Sequence, residues 1–223
     1  MNHSAALFAL LAVSVAACNN DPSKGKPIAT VSEPVQVAAS AAAAPSGPVG
    51  STATASTARY AFSNDGSKVS FVGAKITGKH NGSFGAFTGN INLVGGDPLK
   101  SSVTVEIDSA SLTSDAEKLT GHLKSPDFFD VAKFPKARFT STSIAAGGDK
   151  GATHTVTGNL ELHGVTKSVT FPASVKVSGD AIDLDAEFGI NRKDFGLVYP
   201  GKPDDLIKDE VLIKLEIHSK KAI

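Results

Sequence analysis

The chain has 223 residues, with 22 basic and 22 acidic side chains, a formal net charge of zero and one cysteine. A balanced charge argues against a nucleic-acid binder, which needs a basic surface to displace counterions, and gives no electrostatic pull toward anionic lipid. With Cys18 as the only thiol, no intrachain disulfide can form, and the folded part has no cysteine for metal binding or thiol catalysis.

Residues 5–17 are an apolar run, too short to span a bilayer comfortably but the right length for the core of a signal peptide (1–17). Val15-Ala16-Ala17-Cys18 follows and resembles a bacterial lipobox, in which the cysteine is acylated and becomes the mature N-terminus. Each buried acyl CH₂ would supply about 0.8 kcal/mol of membrane affinity. An ordinary secretory leader with a chance cysteine is the alternative, and the absence of Lys or Arg ahead of the apolar run departs from the usual pattern. Asn19, rather than an aspartate, follows the cysteine; by resemblance to enterobacterial sorting this implies the outer membrane, facing the periplasm. Residues 18–58 then read as a lipidated cysteine and a disordered tether. The stretch has no aromatic residue and is rich in Ala, Ser, Thr, Pro and Gly, a composition that buries too little to offset ordering entropy.

From residue 59 the dominant signal is period-two alternation. Val103, Val105 and Ile107 alternate with polar neighbours, as do Val156, Leu160 and Leu162, with Gly158 in the same row. So do Val169, Phe171, Ala173 and Val175; Ile182, Leu184, Ala186, Phe188 and Ile190; and Val211, Ile213, Leu215 and Ile217. Further strands are expected at 60–63, 68–77, 83–93 and 137–144, with a bulge near Gly85 to bring Phe84 and Phe87 onto one face. Glycine-rich turns connect them. Eight or nine strands with one apolar and one wet face predict an all-β, antiparallel barrel or sandwich.

Residues 114–139 break the pattern. Two short helices fit there, one capped by Ser114 and one by Ser125 with Pro126 in its first turn, ended by Pro135. Phe128, Phe129, Val131 and Phe134 form an apolar cluster that the segment cannot bury alone. A filled core and a ligand cavity have the same periodicity, so both remain open at this level.

The motifs VSFVGAKITGKHNGSFGAFTGNI (69–91), HLKSPDFFDVAKFPKARF (122–139), VTGNLELHGVTKSV (156–169), GINRKDFGL (189–197) and DEVLIKLEI (209–217) resemble those of the YceI-like family of bacterial periplasmic proteins. The resemblance covers essentially all of 59–223. It implies an extended, lipocalin-like antiparallel barrel of about eight strands with a short helical insertion at about 114–133. It also implies a lumen for a polyisoprenoid, such as an isoprenoid quinone or isoprenyl phosphate, or a related lipid. One departure is early: Asp65-Gly66-Ser67-Lys68 stands where many members read His-Ser. On this basis Phe71, Phe84, Phe87, Phe129, Phe134, Phe139, Phe188 and Phe195 are candidates for the lumen wall, each with core packing as the alternative.

Lys79 and His80, at a turn, and Arg192 are candidates for contact with a headgroup at the mouth. The alternatives are an exposed turn for Lys79 and His80, and a structural pair of Arg192 with Asp194. No histidine pair has metal-ligand spacing, and no serine elbow, phosphate loop or dinucleotide fingerprint is present. The expected function is therefore non-enzymatic binding, transport or sequestration of an apolar prenyl lipid by a membrane-tethered barrel, with neither cofactor nor nucleic-acid partner. A solid barrel serving as an envelope stress or interaction protein, or a lipid-modifying enzyme, are the competing readings.

Overall fold

The computed structural model describes residues 21–36 and 56–222, so the leader, Cys18 and residues 37–55 lie outside the described residues. The strands are β1 (Thr30–Ser32), β2 (Thr57–Ser63), β3 (Lys68–Lys75), β4 (Gly78–Phe84), β5 (Phe87–Val94), β6 (Asp97–Asp108), β7 (Leu112–Ser114), β8 (Lys136–Ala146), β9 (His154–Leu162), β10 (Val165–Ser178), β11 (Ala181–Asn191), β12 (Gly201–Lys202), β13 (Asp205–Leu206) and β14 (Glu210–Lys221). One α-helix, α1 (Glu117–Lys124), lies between β7 and β8.

The ladder order β2-β5-β6-β8-β9-β10-β11-β14 returns to β2, so eight antiparallel strands close a barrel. β3 continues β2 along the same edge of β14, β4 precedes β5 against β3, and β7 extends β6 beside β4. Three of the eight strands are therefore long and broken once. The first break, at 64–67, leaves His218 between the two paired stretches of β14. Ser67, buried there, closes the gap: its hydroxyl donates to the His218 carbonyl (3.3 Å) and accepts from the His218 N–H (3.0 Å). The second break, at Gly85-Ala86, does what the sequence requires near Gly85. It changes the parity of the strand so that Phe84 and Phe87 both pack into the core.

The alternating rows point inward as expected. Phe171 and Phe188 stack at 4.3 Å in the middle of the core, with rings 14° from parallel. Two inward glycines make room for rings on the neighbouring strand. A Cβ at Gly82 would sit 2.2 Å from the Phe71 ring, and one at Gly89 would sit 2.0 Å from the Phe62 ring. Each glycine pairs directly with its phenylalanine, so the ring lies flat on the wall.

Two expectations need correction. The helical insertion holds one helix, not two. Ser125 ends α1 instead of capping a second helix, its hydroxyl donating to the His122 carbonyl (2.8 Å), and Asp130 takes a left-handed conformation (φ 43°) that no helix continues through. Ser114 does not cap α1 either, because the N-cap is Ala116 and Asp115 is held by β4.

The second correction concerns the tether. Residues 21–36, expected to be unstructured, pack on the barrel wall. β10 and β11 pair only from Ser174 to Ser178 and then diverge. Residues 27–32 fill the slot: β1 pairs with β10, the Ala29 N–H donates to the Gly189 carbonyl (2.9 Å), and the Gly189 N–H donates to the Pro27 carbonyl (2.8 Å). Backbone groups at a strand edge need partners whatever the composition of the segment that supplies them. Lys26 pairs with Glu187, Lys167 with Glu33, and Asn159 exchanges two hydrogen bonds with the backbone of Val35.

Two outcomes check this architecture. Amide hydrogen exchange is expected to find the Ala29 and Gly189 N–H groups protected together, and rapid exchange at both would remove the strap from the wall. Gly89→Val forces the Phe62 ring off the wall and should cost about 1–3 kcal/mol. Thermal melting should then fall by roughly 5 °C.

Candidate functional site

The barrel encloses a cavity of about 470 Å³. Its deep wall comes from the inward rows: Val103, Val105, Ile107, Val156, Leu160, Phe171, Leu184, Phe188, Ile213 and Ile217. Among the described residues, no titratable side chain lines it at this depth. Toward one end the lining changes to Lys75, His80, Asn81, Ser114, His122, Arg192, Tyr199, Lys202 and Asp205, contributed by the β3–β4 hairpin, the end of β7, α1, the turn after β11 and the loop 196–209. This end is the mouth. A second apolar cluster stands just inside it, where Leu112, Leu123 and Phe128 are buried against Phe71, Phe84, Leu119, Phe129, Tyr199 and Ile207. The Phe71, Phe84 and Phe129 rings meet pairwise at 5.9–6.5 Å.

Of the phenylalanines expected at the lumen, Phe71, Phe84, Phe129, Phe139, Phe188 and Phe195 line the cavity. Phe87 is buried in the core without lining it. Phe134 lies elsewhere: the turn at Asp130 carries it to the β9–β10 hairpin, where it packs edge-on against His163 (4.6 Å) and over Gly164. Phe62, Phe128, Phe171 and Tyr199 also line the cavity. Phe171 stood in an alternating row and was legible there. Tyr199 lies in an irregular loop whose sequence carries no such signal.

The mouth is held by ion pairs. Asp205, on β13, accepts from Lys75 and from the Thr77 N–H (3.0 Å), which straps the β12–β13 hairpin to β3. The Lys75 ammonium holds the Asp205 carboxyl below its usual range. Asp115, just ahead of α1, accepts from the Asn81 N–H (2.8 Å) and meets His80 Nδ1 (2.8 Å). The Asn81 backbone bond, followed by His80, lowers its pKa as well. His122 pairs with Asp127 (2.9 Å) and packs edge-on against Phe128 and Tyr199.

Arg192 is only 5 % exposed. It donates to the carbonyls of Lys208 (3.1 Å) and Leu197, and faces Asp209 at 3.5 Å rather than Asp194. Burial pushes its pKa down, and Asp209 opposes that. The side chain thus ties both ends of the loop 196–209 together while one face lines the cavity. Lys79 is exposed and does not line the cavity.

The family model described as YceI-like domain matches residues 60–219. A UPF0312 protein of Pseudomonas putida strain F1 is 36% identical over 139 residues, covering 60% of this chain and 71% of that protein. Among solved structures, BcnA of Burkholderia cenocepacia is similar at a TM-score of 0.61 and 30% identity, over 70% of this chain and 98% of that one. A polyisoprenoid binding domain from Saccharophagus degradans shares the fold at a TM-score of 0.58 and 18% identity, over 75% of this chain and all of that one.

The mouth network makes two expectations. Arg192→Ala leaves two carbonyls without their donor and should destabilise the protein by about 3 kcal/mol, read by chemical denaturation. Asp115 and Asp205 have lowered pKa values in the folded state. Their stabilisation is complete above the unfolded aspartate pKa of about 3.9 and is lost as the pH falls through the folded values. Melting temperature should therefore drop between pH 5 and pH 2 by a smaller amount in Asp205→Asn than in the parent, and equal drops would remove Asp205 from this role.

Proposed function

The chain belongs to the YceI-like family, and from that premise we propose that its barrel binds a polyisoprenoid lipid without chemically altering it, for transport or sequestration in the cell envelope. The observation that carries this reading is the cavity. It has the volume of a ligand site, and a prenyl chain gains about 25 cal/mol for each Å² taken out of water by such a wall. The structural neighbour described as a polyisoprenoid binding domain supports the same class of guest. A solid barrel fits poorly with this space. Catalysis would require titratable groups converging on the guest, whereas those that line the cavity are gathered at its mouth.

The mouth favours an uncharged headgroup, such as a quinone, over a phosphate. Lys75, His80, His122 and Arg192 each already face a carboxylate. Lys202, exposed on the outer rim, is the one cation lining the cavity with no carboxylate partner among the described residues. A diphosphate would thus meet aspartates as readily as free cations. The apolar run at 5–17 and the Val15–Cys18 motif support export and acylation of Cys18, on the periplasmic face and by Asn19 at the outer membrane. Loss of radiolabelled palmitate and release to the soluble fraction in Cys18→Ser would test the anchor.

Native mass spectrometry of protein from its own cells, followed by lipid extraction, should find one neutral prenyl compound per chain. Delipidated protein should then take up a prenyl quinone at least tenfold more tightly than the prenyl diphosphate of equal chain length, a difference of about 1.4 kcal/mol or more. Uptake of neither would overturn the reading, and preference for the diphosphate would reverse the headgroup assignment.

A further inference from the structure

We infer that the mouth of the barrel rests against the lipid bilayer, with Ile76, Val198 and Leu206 entering its surface, so that the cavity opens toward the membrane. The inference goes beyond lipid binding and rests on the anchor reading only for the position of Cys18. Three observations meet at this rim.

The first is exposure. Ile76, Val198 and Leu206 are 53 %, 62 % and 46 % exposed, although they belong to two of the segments that frame the cavity, the β3–β4 hairpin and the loop 196–209. They are not scattered. The Ile76 N–H donates to the Leu206 carbonyl (3.2 Å), Lys75 pairs with Asp205, and the Ile207 N–H donates to the Pro200 carbonyl two residues beyond Val198 (3.0 Å). Hydrogen-bonded backbone therefore holds the three side chains in one rim. Apolar side chains gathered at the opening of an apolar cavity mark a surface that meets an apolar partner.

The second is where the N-terminal segment begins. Ser23 is 2 % exposed, and its hydroxyl contacts Asp21 (2.6 Å) and Glu210 (2.8 Å). Glu210 opens β14, immediately after the loop 196–209 that forms the mouth. The chain therefore reaches the barrel at its mouth end. Cys18 lies three residues upstream, within about 10 Å of Asp21 along even a fully extended backbone. An acyl group on Cys18 would place the bilayer beside the mouth. A tether running from residue 19 to 58 would have imposed no orientation.

The third is charge. The chain is neutral overall, and the rim cations Lys75, His80, His122 and Arg192 carry aspartate partners, which leaves Lys202 alone among the described cavity-lining cations without one. Contact must then come from insertion of apolar groups rather than attraction to anionic lipid, in the manner of other interfacial elements. A bilayer is favoured over a second copy of the chain because anchor and opening coincide at this end. The far end, with Lys220, Lys221 and Asp180, bears Leu99 and Val177 on two separate strands, β6 and β10.

The chain has no tryptophan, so one introduced residue reports alone. The acylated chain carrying Val198→Trp, Leu206→Trp or, as the control, Leu99→Trp is reconstituted in phosphatidylcholine vesicles made with brominated acyl chains. A severalfold loss of emission and a blue shift are expected at Val198→Trp and Leu206→Trp but not at Leu99→Trp. Both should persist at about 1 M salt, where the screening length is about 3 Å. Equal quenching at all three positions, or none at the rim, overturns the inference. So does a rim blue shift that appears without vesicles and grows with protein concentration, which would assign the rim to a second copy. Prenyl-quinone loading is measured on the same samples: a loaded cavity with an unquenched rim sinks only this inference, and an empty cavity with a quenched rim sinks only the binding function.

Discussion

A closed ring of strands demands a partner for every backbone N–H and C=O on both edges of every strand, and the rest of this structure follows from meeting that demand. Most of the ring does so by simple antiparallel pairing. Two seams do not. Where β2 passes into β3 the ladder skips a step, and the Ser67 hydroxyl supplies the missing donor and acceptor to His218. Where β10 and β11 separate, residues 27–32 supply a backbone from outside the ring.

Closure also explains the space inside. The circumference is set by strand count and tilt, not by the volume of the side chains that point inward. Eight strands enclose room that the inward rows could fill or leave. Here rings that would cross the lumen lie on the wall instead, because glycines opposite them leave a place: Phe71 over Gly82, Phe62 over Gly89, and Phe139 over Gly158. The stacked pair Phe171 and Phe188 is buried in the core cluster and also forms part of the wall.

The polar groups are sorted by position in a way that suits a container. The wall is aliphatic and aromatic, and the charges form pairs at the opening. Those pairs act on loops. Asp205 binds one hairpin to another, Asp115 binds the start of α1 to β4, and Arg192 gathers the two ends of the loop 196–209. The shape of the opening is thus maintained by contacts that need not touch a guest. Because those contacts lie between segments distant in sequence, loosening one would alter the opening before it altered the ring.

The chain alone determined most of the barrel strands, their inward faces and the place of the irregular insertion, because period-two burial is a local property visible in rows such as Val211, Ile213, Leu215 and Ile217. It also placed the parity change near Gly85, since Phe84 and Phe87 cannot otherwise share a face. Tertiary structure decided what depends on groups far apart in sequence. Phe139 and Phe134 read alike, yet one lines the cavity and the other packs on His163, because a left-handed turn at Asp130 and an open site at Gly164 redirect it. Arg192 found Asp209 rather than the adjacent Asp194 for the same reason. Residues 21–36 have the composition of a linker and still become wall, because the slot between β10 and β11 asks for backbone hydrogen bonds, which any residue but proline can both donate and accept.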